Sequence, residues 1–189
     1  MDSLPLQIKD SIPGYLIKGV EAVEVFVDSE DENLIKEAAG KVAEALGGGA
    51  DFISLFYSHA PDTPEKEKNL IESFKRNLEL LIHKTWVEKS DEGSKENLLE
   101  NLEKLTETVS SGRYIESISS FVSVVSDTVY LLFGQNPEGE DFTEYSFRID
   151  PDFGFFCWYV RSVAPSICNR GEDTARVAVL LGMFFLANF

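Results

Sequence analysis

Apolar residues along the chain alternate with polar ones at first, then recur every three or four positions through a long central stretch, and finally crowd together near the end. From Val20 to Val27 (VEAVEVFV), Val23, Val25 and Val27 alternate in a β-branched run, which predicts a strand. Ser29 with Glu32 three positions on is a capping-box pattern. Leu34, Ile35, Ala38, Val42, Ala43 and Leu46 follow at helical spacing until Gly47-Gly48-Gly49 ends the helix. Phe52 to Tyr57 (FISLFY) predicts a second strand. Residues 15–58 therefore read as a βαβ-like part, its two strands either adjacent or split by others.

Beyond a turn at Ala60 to Pro64, residues 65–134 predict three amphipathic helices. The first carries the stripe Leu70, Phe74, Leu78, Leu81, Ile82 and Trp86, and a polar loop, Lys89 to Lys95, closes it. The second carries Leu98, Leu102, Leu105 and Val109, the narrow seam of closely packed helices. After Ser110-Ser111-Gly112 the third carries Ile115, Ile118, Phe121, Val122, Val125, Val129, Leu132 and Phe133, with Ser117, Ser120 and Ser123 off the main stripe.

Phe142 to Val160 is the densest aromatic stretch of the chain. Tyr145, Phe147 and Ile149 alternate with Glu144, Ser146, Arg148 and Asp150, Asp150 to Gly154 (DPDFG) has the letters of a turn, and Phe155 to Val160 is apolar on both faces. Together they predict a β-hairpin stopped by Pro165. The run from Val177 to Ala187 predicts a buried last helix, because its 11 residues fall short of the roughly 20 that a membrane span needs. The expected fold is α+β and a single domain over 1–189: a small mixed sheet including the aromatic C-terminal hairpin, packed against several amphipathic helices and a buried C-terminal helix.

Charge narrows the partners. With 33 acidic and 17 basic residues the net charge is −16, which opposes a phosphate backbone, so nucleic acid is not an expected partner. Two cysteines, Cys157 and Cys168, and an N-terminus without a basic segment and apolar run fit free thiols in the cytoplasm. No membrane partner and no cofactor are expected.

Three sets of residues have chemistry at the right spacing. Glu79 and His83 sit four apart on one helical face, with Glu72 two turns earlier and the Glu100/Glu103 pair on the next helix. Such sets can supply metal ligands, although a site needs three or four, and no metal is expected here. The helical carboxylate pairs resemble the first half of the magnesium motif of all-α nucleotide pyrophosphatases. The matching helical ExxD is missing, because Glu138 to Asp141 lies in a Gly/Pro loop, and the chain is not assigned to that family. Asp28, Ser29, Ser58, His59 and Asp62 fall where a parallel sheet would open its carboxyl edge, with His59 as a base, but Asp28 and Ser29 also suit a helix cap. Arg148, Arg161, Arg170 and Arg176 gather on the hairpin and around the start of the last helix, where guanidinium groups suit a carboxylate or phosphate.

These features support two expectations. The first is a non-enzymatic cytoplasmic protein acting through homodimerisation or contact with another protein, on the strength of the apolar surface in the last 50 or so residues. The second is an enzyme or binder of a small anion, using the arginine set with a divalent cation held by carboxylates.

Overall fold

Thr63 and Pro64 set the starting point of the helical region. In a computed structural model that describes residues 60–85, 92–133, 146–147 and 151–187, Thr63 Oγ1 accepts the Lys66 N–H at 3.3 Å and its carbonyl accepts Glu67 N–H at 3.1 Å. Proline at the first helical position loses no hydrogen bond, because that N–H has no partner inside a helix. Helix α1 runs Pro64–Thr85, α2 Glu92–Ser110 and α3 Tyr114–Phe133. After α4 (Pro151–Trp158) the chain passes through a π-helical turn, Tyr159–Val163, into α5 (Ala164–Cys168), and α6 spans Glu172–Ala187. The chain divides into two compact units, Met1–Asp62 and Thr63–Phe189, and all these elements belong to the second.

The expected α+β architecture is corrected by this structure. Among the described residues 90% are helical and none is in a strand. The expected strands at 20–27 and 52–57 lie outside the described residues. The return strand of the aromatic hairpin is instead helix α4 and the π-helical turn. Two features of the sequence account for it. Asp-Pro-Asp is the signature of a helix N-terminus as much as of a turn, and an apolar run such as Phe155 to Val160 carries no period that separates a buried strand from a buried helix. Gly154 has no positive φ; it sits inside α4, where a Cβ would come within 2.5 Å of the Phe147 ring. Its role is close approach.

Pro165, expected to stop a strand, lies in α5. A proline ring inside a helix clashes with the carbonyl four residues back and brings no N–H. Just ahead of it the turn is widened by one residue: Ala164 N–H donates to the Tyr159 carbonyl, five positions earlier. That wider turn makes room for the ring.

The helical part matches the periodicity, with one rotation. Phe74 and Leu78 of α1 and Leu98, Leu102, Leu105 and Val109 of α2 are fully buried. In α3 the buried face is Ser117, Ser120, Phe121, Val124, Val125, Thr128 and Val129, while Ile115 is 45% exposed. Of the serines set off the stripe, Ser117 and Ser120 are therefore inside while Ser123 is exposed, and the Ser117 hydroxyl bonds within the helix, to Tyr114 O at 2.6 Å. At the α2–α3 corner Gly112 takes φ +74°. Its N–H donates to Val109 O and that of Arg113 to Thr108 O, both at 3.0 Å, closing the helix in a Schellman motif.

Cross-contacts give the helix directions. Glu67 meets Arg176 and Asn77 meets Leu186, each pair 109 residues apart. Tyr114 meets Glu67, and Phe121 meets Phe74, both across 47 residues. A constant offset means parallel neighbours, so α1, α3 and α6 run the same way, and α2 returns between α1 and α3. At its far end α6 is held by Asn77, whose Nδ2 donates to Leu186 O at 3.1 Å and Ala187 O at 2.8 Å. These carbonyls belong to the last turn of α6, which lacks partners of its own. Asn77→Ala is expected to cost about 1–2 kcal/mol in urea unfolding, and hydrogen exchange should quicken at the end of α6 while α2 keeps its protection.

The core joins the rings of α1, α3 and α4. Phe121 stands edge-on to Phe74, centroids 5.8 Å apart, and to Phe156 at 5.9 Å. Phe185 stands edge-on to Phe155 at 5.1 Å and to Tyr159 at 5.0 Å. The Tyr159 hydroxyl, wholly buried, donates to Ala178 O at 2.9 Å. Gly182 of α6 lies against this cluster, and a Cβ there would sit 2.7 Å from Phe121 Cε1 and 3.2 Å from Tyr159 Cε1. Gly182→Ala gains helix propensity yet is expected to lose about 1–2 kcal/mol net, because two packed rings must shift. A thermal melt that rose instead would show that the rings can give way.

Candidate functional site

The first turns of α1, α3 and α6 converge at one end of the bundle. Parallel helices bring like dipole ends together, and the positive N-terminal ends favour carboxylates. Glu67 and Glu172 supply them. Glu172 Oε2 accepts the N–H of Tyr114 at 3.1 Å and of Ile115 at 3.3 Å, so the cap of α3 comes from α6 across 58 residues. Arg113, at the capping position of α3, has no short acceptor side chain for that role. Its guanidinium instead meets Glu116 at 3.1 Å.

Glu67 ties the three helices together. Its Oε1 accepts the Tyr114 hydroxyl at 2.5 Å, and its Oε2 accepts Arg176 Nη2 at 3.0 Å and Nε at 3.3 Å. The side chains are 35% exposed for Arg176 and 16% for Glu67, so the pair is only partly screened by water. Burial and then the Glu67 carboxylate push the Tyr114 hydroxyl up to about 12. For Arg176, burial pulls the other way but Glu67 and Tyr114 outweigh it, and the guanidinium is held more firmly protonated.

Of the four arginines expected to bind an anion, Arg176 thus faces Glu67 on α1. Arg170 is exposed in the turn before α6, next to Gly171 at φ +123° and the acids Glu172 and Asp173 of the first turn. Arg161 is half-buried in the π-helical turn, close enough for its charge to act on Cys157. Arg148 lies outside the described residues. Arg161, Arg170 and Arg176 therefore occupy different elements, and Arg176 comes together with two carboxylate-bearing helix ends. Cys157 is a free, buried thiol, pushed well up by burial against the weaker opposing effects of a hydrogen bond with Ser146 and the charge of Arg161. Cys168 is without a described side chain.

The carboxylate and histidine set is dispersed. Glu79 is half-buried, His83 is exposed, and Glu72 is exposed with Lys68 Nζ at 3.9 Å. Among the described residues no group of three His, Cys, Asp or Glu side chains could hold a metal ion. Of the residues placed at a sheet edge, Asp28, Ser29, Ser58 and His59 lie outside the described residues, and Asp62 is exposed just before α1.

A feature that sequence reading passed over is the outer face of α2. Glu96, Glu100, Glu103 and Glu107 are all exposed. At 100° per residue they fall within an arc of about 60°, spread along about 16 Å of helix. The helix holds five glutamates against two lysines. Among the described residues none of these four carboxylates is in an ion pair. The spacing of four, three and four is visible in the sequence, whose Glu100/Glu103 pair reads either as metal ligands or as outward-pointing acids. Large exposed hydrophobic side chains among the described residues are Leu80 (55%), Ile115 (45%) and Tyr130 (43%). Ile115 and Tyr130 stand about 22 Å apart along α3 by helical rise. No helix among the described residues is long and apolar enough to cross a membrane. Compared with known proteins, the chain matches no family model, no curated protein and no solved structure at a significant level.

Proposed function

We propose that this chain is a non-enzymatic, cytoplasmic helical module that works by contact with another protein, presenting the carboxylate face of α2 to a basic surface. The observation that carries the reading is the line of Glu96, Glu100, Glu103 and Glu107, all exposed and without an ionic partner among the described residues. Like charges three and four apart on one helix cost about 0.2–0.5 kcal/mol per pair, so the face works against the helix's own stability. A cationic surface laid along it would relieve that repulsion and gain from complementary potential.

Homodimerisation was expected from apolar residues near the end of the chain. Phe153, Phe155, Phe156, Trp158, Tyr159 and the α6 residues from Ala178 to Leu186 lie buried within the chain itself. A second copy would also meet the α2 face with its own negative charge, so the partner in this reading is a different protein. Anion binding at Arg176 would require Glu67 to leave it, beside Glu172, and nothing at the site favours that rival.

The test uses an Arg/Lys-rich peptide as probe, with affinity read by fluorescence anisotropy at low and physiological salt. Neutralising the face (Glu96→Gln, Glu100→Gln, Glu103→Gln, Glu107→Gln) is expected to weaken binding at least ~10-fold at low salt, with helicity unchanged. A control neutralises four exposed acids elsewhere: Glu65→Gln, Glu72→Gln, Glu116→Gln, Asp173→Asn. If both variants lose affinity equally, the peptide reads net charge alone, and the α2 face has no special role.

A further inference from the structure

We draw no further inference here: the strongest candidate, the end of the bundle where the first turns of α1, α3 and α6 bring Glu67, Tyr114, Arg176 and Glu172 together, is a set of helix N-termini whose charges answer one another within the site already described, and no second observation points to a ligand there.

Discussion

Phe121→Ala is expected to lower stability by about 3–5 kcal/mol, a large share of what a domain of this size has. Phe121 is fully buried and touches rings from two other helices, Phe74 and Phe156, with Gly182 of α6 closed over it. Removing the ring leaves a cavity whose walls come from α1, α3, α4 and α6. Those walls are held by separate contacts elsewhere, so they cannot all collapse inward. Urea unfolding followed by circular dichroism gives the value, and Phe121→Leu, with a smaller loss, keeps the comparison measurable should the alanine variant fail to fold. A cost below about 1 kcal/mol for alanine would mean that the aromatic cluster repacks freely and that Phe121 is not its keystone.

The second large effect is expected at Glu67. Glu67→Ala strips the carboxylate from both Arg176 and Tyr114, so a partly buried cation loses its opposite charge and the Tyr114 hydroxyl its acceptor. Because Arg176 still reaches water, the loss is set at about 2–3 kcal/mol rather than the cost of a fully buried broken pair. The pH dependence supplies a signature of its own. In the folded chain the Tyr114 proton is held up to about 12, whereas an unfolded tyrosine releases it near 10. A raised pKa stabilises fully below pH 10, and this contribution is lost as pH rises through 12. Allowing for solvent screening, it amounts to about 1–2 kcal/mol. Comparison with Tyr114→Phe isolates this one group: the stability difference between wild type and variant should shrink between pH 10 and 12. Since burial is the larger cause and Glu67 the second, Glu67→Ala should reduce the alkaline slope without abolishing it. An identical slope in wild type and Tyr114→Phe would show that the hydroxyl titrates as it does in water.

How much of this was legible beforehand depended on period. The stripes of α1 and α2 were readable because Phe74 with Leu78, and Leu98 through Val109, keep helical spacing with polar residues between them. On α3 the buried face is rotated from the apolar stripe, which leaves Ser117 and Ser120 off it. A short hydroxyl that bonds its own helix costs little to bury, and the apolar Ile115 sits outside instead. The hairpin failed for a different reason. Phe155 to Val160 is buried all round as a helix, and residues with no wet face leave no pattern to count. In the candidate site the arginines were found by residue type, but the partner of Arg176 lies 109 positions away. Only the parallel packing of α1 and α6 brings Glu67 there, and no local spacing encodes it. The α2 carboxylates are the opposite case, fully local: the apolar neighbours of Glu100 and Glu103 already point both acids outward.

The parallel order of α1, α3 and α6 also bears on how the chain reaches its native state. Neighbouring antiparallel helices such as α2 and α3 meet across a three-residue corner and can pair as soon as both exist. Parallel neighbours cannot, because their contacts close loops of 47 and 109 residues, and formation of such distant contacts slows the search. During synthesis, α1, α2 and α3 emerge before α6, with Phe121 still waiting for the strip of α6 around Gly182. Until then the aromatic seam is covered only in part, by Phe156 of α4, which makes the docking of α6 the step that completes the core.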